Sequence, residues 1–380
     1  MNILIDLTYI NPKNTSGVAN YSKRLLKGFN EINCDENIYL LVTENNKDFI
    51  SNYFSDFPKI IINTKNGYFY NKLFFLRTFF NKQIFNQILI ENNINLVISP
   101  YLTMNTLISD KYKQIGVLHD TQEYNQFKEK GIKGKGIKGK VYRFLIRYVI
   151  NKIDHIITIS NFAKESILND FPYLENKTSV IYNSVDYDSN ILIKKDTNII
   201  KPYILYVNTL MPYKNLETLV KAYNLIKEKI SHNVIVKGKK TPYWNNVIVP
   251  LIEEYNLSNE FILIDENYDD TQMKSLFKNA DLFVTTSKNE GFGYTPIEAA
   301  ILKVPVISSK ETALYETTQG ILNYYEPVED YQNLSIKILE LLNNKPINLE
   351  EISKRFIDDY SPKKQAENFL KIIKNIGQSK

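Results

Sequence analysis

Leu282–Ser309 reads LFVTTSKNEGFGYTPIEAAILKVPVISS: an apolar strand (Leu282–Ser287), a loop carrying Gly291 and Gly293, a short helix opening at Pro296, and a second apolar strand (Val304–Ser309). A strand, glycine loop and helix in succession turn free amides and the positive end of a helix dipole toward whatever occupies Gly291–Tyr294. An anion such as phosphate is stabilised there. The spacing predicts Thr295 as the helix cap, Pro296 in the first turn, where its missing N–H is no loss, and Glu298 three residues after the cap. Thr295-x-x-Glu298 is then a capping box, which alone accounts for Glu298, and Glu290 reads as a solvated loop charge. Spacing by itself leaves the structural and the ligand-binding readings of both carboxylates open.

Taken together, Glu290-Gly-Phe-Gly-Tyr-Thr-Pro-Ile-Glu298 and the small-residue helix after it resemble the Glu-x7-Glu signature of family 4 retaining glycosyltransferases. The resemblance implies that Glu290 lies against the donor sugar and Glu298 holds the ribose of the nucleotide. It also implies that Gly291, Phe292, Gly293, Tyr294 and Thr295 contact sugar and diphosphate through their amides. Glu290 and Glu298 are not the acid pair of a glycosidase, because a helix start fixes Glu298 away from the reacting carbon.

On the N-terminal side of this stretch, strands are expected at Tyr203–Asn208, Asn233–Lys237 and Phe261–Asp265, and beyond it at Leu322–Tyr325. The first is followed by TLMPYKNLETLVKAY, with Lys214-Asn215 at the start of an amphipathic helix, where a Lys meets phosphate as a point charge. A surface Lys in a helix-start turn is the plain alternative. The segment resembles the family's basic motif, in which an Arg and a Lys five positions later grip the diphosphate. Lys214 matches the Lys and Asn215 adjoins it as a further donor contact, but Thr209 stands where the Arg is expected, so part of the leaving-group charge is met by the Thr209 hydroxyl, by backbone amides or by another residue. Asp265 and Glu266 replace the small residue usual at the turn beside the base pocket, and the base is not readable.

The first half repeats the alternation, with strands expected at Ile3–Ile10, Ile38–Thr43, Ile60–Asn63, Leu96–Ser99, Gln114–His119, His155–Ile159 and Val180–Asn183. Alternating strands and helices imply a parallel sheet covered on both faces. Gly17, between the first strand and the helical VANYSKRLLKGF, resembles the family's N-terminal glycine loop facing the donor diphosphate. His119 and Asp120 close the strand QIGVLHD at the carboxyl edge, where open parallel sheets bind ligands. A lone His is commonly structural; the pair resembles a His-Asp in which the His contacts the donor sugar near its reacting carbon. Asp186-Tyr-Asp188 spells Asp-x-Asp but enters a polar linker and is discounted as a metal site.

Lys128–Lys152 carries nine basic residues and one acidic residue. Its second part places Tyr142, Leu145, Ile146, Val149 and Ile150 on one helical face. Two readings stand side by side: a solvated loop feeding a core-packing helix, or a patch for an anionic membrane surface or an acceptor pyrophosphate. Nucleic acid is not expected, since aromatic residues do not interleave with the lysines.

The chain has 380 residues, 43% hydrophobic and 23% charged, with a net charge of +5, one Cys and three His. That suggests two soluble domains, no internal disulfide and no clustered zinc site. The opening MNILIDLTYI lacks the features of a signal peptide, and no run is long enough to span a membrane, so a cytoplasmic protein, soluble or peripheral, is expected. The expected architecture is α/β, two Rossmann-like doubly wound domains facing a cleft, the glycosyltransferase B fold that the resemblance implies. Its parts are an acceptor domain (1–190), a donor domain (201–360) and a helix (361–380) returning to the first.

The resemblance implies transfer of a hexose or deoxyhexose from a GDP-, UDP- or dTDP-linked sugar to a glycan or lipid-linked glycan, with no metal and no further cofactor. Glu290, His119 and Lys214 would carry the chemistry. A nucleotide-sugar epimerase, or a non-catalytic sugar- or membrane-binding protein, would share the donor-binding half.

Overall fold

A computed structural model describes residues 1–12, 17–32, 34–62, 82–119, 136–186, 201–344 and 346–378. The chain divides into two units, Met1–Ser184 with Pro362–Lys380, and Val185–Ser361.

Among the described residues, the first unit holds β1 (Asn2–Asp6), β2 (Asn37–Thr43), β3 (Lys59–Ile62), β4 (Leu96–Ser99), β5 (Lys113–Leu118), β6 (His155–Thr158) and β7 (Thr178–Val180). They form one parallel sheet in the order β3-β2-β1-β4-β5-β6-β7. Strands covered on both faces need no polar side, and Ile3, Leu4, Ile5, Val97 and Ile98 are all fully buried. β1 is shorter than expected: Ile10 turns back to donate its N–H to Leu7 O, so the apolar run continues beyond the strand as a buried turn.

The helix Gly17–Glu31 covers this sheet and is itself covered by the helix Pro362–Gln378. A Cβ on Gly28 would lie 2.0 Å from Pro362 O, so the two helices approach at a distance only glycine permits. Phe29 and Phe369 meet edge to face at 6.3 Å, and Ala366, Phe369 and Ile373 are fully buried.

The helix Gly136–Lys152 turns its expected apolar residues to the core. Leu145, Ile146, Val149 and Ile150 are buried, three of them in a core cluster with Leu102, Leu118, Ile156 and Phe171. Its apolar face is therefore spent on the fold and is not the lipid-facing stripe of an interfacial helix. No helix among the described residues is long and apolar enough to cross a membrane.

The second unit holds β8 (Tyr203–Val207), β9 (Asn233–Lys237), β10 (Phe261–Ile264), β11 (Leu282–Thr285), β12 (Val306–Ser309) and β13 (Asn323–Tyr325). All pair in parallel, in the order β10-β9-β8-β11-β12-β13. Its core gathers Tyr206, Leu219, Trp244, Phe261, Val284 and Ile338. In each sheet the strand order reverses direction once, between β1 and β4 and between β8 and β11. Loops leaving the carboxyl ends of strands on either side of such a reversal diverge, and the crevice between them is where open sheets bind ligands.

Candidate active site

In the second unit the reversal lies between β8 and β11, which pair through Leu282 with Ile204 and Phe283 with Leu205. The chain leaving β8 makes one tight turn, Pro212–Lys214, and Asn215 then adopts a left-handed conformation (φ 56°) before the helix Leu216–Asn224. The chain leaving β11 passes through Thr286 and Lys288 to Glu290. Because the two strands are neighbours, Lys214 and Glu290, 76 residues apart, are brought together: Lys214 Nζ donates to Glu290 Oε1 at 2.5 Å. Their side chains are only 8% and 16% exposed, so the pair is held largely out of water.

The turn is pinned from several directions. Tyr206 Oη donates to Lys214 O at 2.8 Å, and Thr286 Oγ1 shares its proton between Lys214 O and Asn215 O at 3.0 and 2.8 Å. Lys288 N–H reaches Tyr213 O, and Asn215 Nδ2 donates to Val328 O at 3.0 Å. Asn215 thus spends its buried side chain on the fold. Thr209 is exposed, and its N–H turns back to Asn208 Oδ1. Tyr206 and Thr286 were missed by sequence reading. The one signal for the latter is the run of small hydroxyls, Thr285-Thr286-Ser287, at the end of an apolar strand.

The loop after Glu290 corrects the expected capping box. The helix spans Tyr294–Ile301 and its cap is Gly293 (φ 86°, ψ 69°), with no side-chain capping bond. Thr295 is the second helical residue and Glu298 the fifth, so Glu298 is not explained as the partner of a cap. Gly293 is required twice over, by its left-handed backbone and because a Cβ there would stand 2.5 Å from Leu314 Cδ2. Pro296, Ile297, Ala299, Ala300 and Ile301 are buried. Tyr294, Thr295 and Glu298, at i, i+1 and i+4, share the half-buried side.

Phe292 turns inward. Its ring meets Tyr360 edge to face at 5.5 Å, and its carbonyl accepts from Thr317 Oγ1 at 2.5 Å. Gly291 is half-buried beside it. The loop therefore offers backbone more than side chain.

In the first unit, His119 follows β5 at the carboxyl edge. Its Nε2 lies 2.9 Å from Pro100 O, which can only accept, so Nε2 carries the proton and Nδ1 is the bare acceptor. Tyr21 and Tyr101 meet the ring edge to face at 4.7 and 5.9 Å, and Tyr9 packs on Tyr101 at 5.5 Å. Burial pushes the imidazole down to about 4, the Pro100 bond opposing only in part, and the ring is neutral at pH 7. Nothing in the sequence links these tyrosines to His119, since they come from separate loops and a helix. Asp120 lies outside the described residues, as does Asp188. Gly17 is exposed as the first residue of its helix, and a Cβ there would meet nothing within 4 Å.

Two family profiles match adjoining parts of the chain: Glycosyltransferase Family 4 over residues 15–189, and Glycosyl transferases group 1 over residues 190–359. The O-antigen chain mannosyltransferase RfbU of Salmonella typhimurium is 31% identical over 205 residues, 53% of this chain and 56% of that protein. The chain spans about half the length of the curated relatives it matches first. A crystal structure of a glycosyltransferase from Rickettsia africae superposes with a TM-score of 0.71 at 18% identity, covering 100% of this chain and 99% of that one. Anabaena HepE, crystallised with UDP and glucose, superposes at 0.68 with 14% identity, covering 99% and 100%. Both share the two-sheet architecture described above.

Proposed function

The chain belongs to the family 4 glycosyltransferases, of glycosyltransferase B architecture, and we propose that it moves a hexose from a nucleotide diphosphate sugar to a hydroxyl of a growing surface glycan or lipid-linked oligosaccharide. Mannose is the hexose of choice, because the 31% identical relative is a mannosyltransferase. The observation that carries the reading is the Lys214–Glu290 pair at the β8/β11 reversal, beside the amides that open the helix Tyr294–Ile301.

As the bond between sugar and phosphate lengthens, negative charge grows on the diphosphate and positive charge on the ring. A cation and a carboxylate 2.5 Å apart are matched to charges that separate across one bond. In this reading Lys214 and the amides of Gly291–Tyr294 meet the diphosphate, and Glu290 favours the ring and keeps the anomeric configuration. Glu298, on the half-buried face of its helix, holds the ribose. Gly17 is proposed as an amide donor to phosphate, which gives a reason for a glycine that the fold itself does not require. His119 acts through Nδ1 as a neutral acceptor for a sugar hydroxyl, not as an acid. No metal is assigned, because Lys214 and the helix end supply the positive field.

Acceptor docking is proposed at an anionic membrane surface, through the outward side of Gly136–Lys152, where Lys140, Phe144 and Arg147 are exposed. Vesicles with and without anionic lipid test that part. The core reading is tested by thermal shift against GDP-, UDP- and dTDP-linked hexoses, followed by transfer to a glycan acceptor. Consumption of the donor without acceptor would point to an epimerase instead, and no shift with any of them would overturn donor binding.

A further inference from the structure

β12 is followed by Lys310, Glu311 and Thr312, and then by the helix Ala313–Thr317. Thr312 has φ 52° and ψ −124°. That is the geometry of the first central residue in a type II′ turn, whose ordinary occupant is glycine. A β-branched residue is held there against its own preference, and such strain persists only where surrounding contacts over-determine it.

Those contacts all lead to Glu290. Thr312 Oγ1 accepts the Glu290 N–H at 2.9 Å and donates to Glu290 O at 3.1 Å, while Ala313 N–H approaches the same carbonyl at 3.4 Å. One hydroxyl, with one proton and free lone pairs, thus closes on both peptide groups flanking the Glu290 Cα. A second tie, from Ser309 Oγ to Ser287 O at 2.6 Å, joins the same two strand ends further in. With its backbone fixed on both sides, the Glu290 side chain has only its own torsions left to settle before it reaches Lys214.

We infer that Thr312 is a positioning residue for Glu290, its hydroxyl clamping the backbone that carries the carboxylate. The inference rests on the proposed role of Glu290 at the donor sugar, and deepens it. Glycine would relieve the backbone strain but cannot make the clamp. Serine keeps the hydroxyl and loses only the methyl.

The full-length chain and its Thr312→Gly and Thr312→Ser variants are compared in two ways. In amide hydrogen exchange without donor, the peptide covering 288–293 gains exchange about tenfold in Thr312→Gly while Tm stays within about 2 °C, and Thr312→Ser restores protection. In transfer assays Thr312→Gly lowers kcat about tenfold (about 1.4 kcal/mol) with donor KM within about twofold, and Thr312→Ser recovers most of kcat. Wild-type protection together with wild-type kcat in Thr312→Gly would overturn the inference. So would a loss carried mainly by KM, which would mean that the hydroxyl only orders the donor loop. If the parent chain transfers no sugar at all, the proposed function fails while the exchange measurement still decides the clamp.

Discussion

Lys214 and Glu290 neutralise one another where little water reaches either. Removing one charge of such a pair leaves the other stranded, which costs more than the pair itself contributes. Glu290→Gln is therefore expected to lower stability by about 3 kcal/mol, and Glu290→Gln with Lys214→Met to recover most of that loss. Urea unfolding of Glu290→Gln, Lys214→Met and the double reads the coupling, and none of the three should transfer sugar.

His119 gives a prediction of a different kind. Its folded-state value of about 4 lies below the unfolded value of about 6.5, so between them the unfolded chain binds more protons. The stability it permits is complete above pH 6.5 and is lost as pH falls toward 4. We expect about 2 kcal/mol across that window, less than the full shift would give because His119 is only half-buried. His155, also depressed by burial, acts in the same direction, so the difference between wild type and His119→Gln is the quantity to measure. At this scale the sequence pointed to Glu290 and Lys214 through the motifs they resemble, and to His119 through the end of a strand. It could not show the contacts that fix them, because Thr312, Thr286 and Tyr101 reach those positions only once the sheets are assembled.

At the scale of elements, most strands were legible because buried parallel strands are written as short apolar runs. Leu96–Ser99 and Asn233–Lys237 match to the residue. β1 was read too long for a physical reason: Leu7 and Ile10 stay buried after the strand has ended. The helix after Glu290 was read as starting too late, because Thr-x-x-Glu is a cap pattern, whereas Gly293 can take a left-handed turn that starts the helix at Tyr294.

Gly17 supplies the element-scale test. Gly17→Ala should leave stability unchanged or raise it by about 0.5 kcal/mol, since the methyl meets nothing and the unfolded chain loses freedom. Donor KM should rise several-fold if phosphate approaches that amide. An unchanged KM would remove Gly17 from the donor site.

The whole molecule is two sheets on one chain that passes from the first unit to the second after Ser184 and returns after Ser361. The two sheets were readable because the strand and helix alternation restarts near Tyr203. The close packing of the final helix on Gly17–Glu31 was not, because Gly28 reveals its purpose only when Pro362 lies against it. A chain stopped at Ser361 uncovers Phe29 and deletes the buried Phe369 and Ile373, each worth about 1.5–3 kcal/mol. Against a typical total of about 5–15 kcal/mol, that loss should unfold the first unit. Calorimetry is expected to show one of two transitions lost and that of residues 185–361 retained.

The helix Pro362–Gln378, which lies over Gly17–Glu31, also sets an order of assembly. The ribosome makes it only after all of 185–361 has been synthesised, so the second unit can reach its native form while the earlier-made unit is still open on one side. A chaperone that shields apolar surface would find its target near Phe29, on the portion of the polypeptide that emerged first.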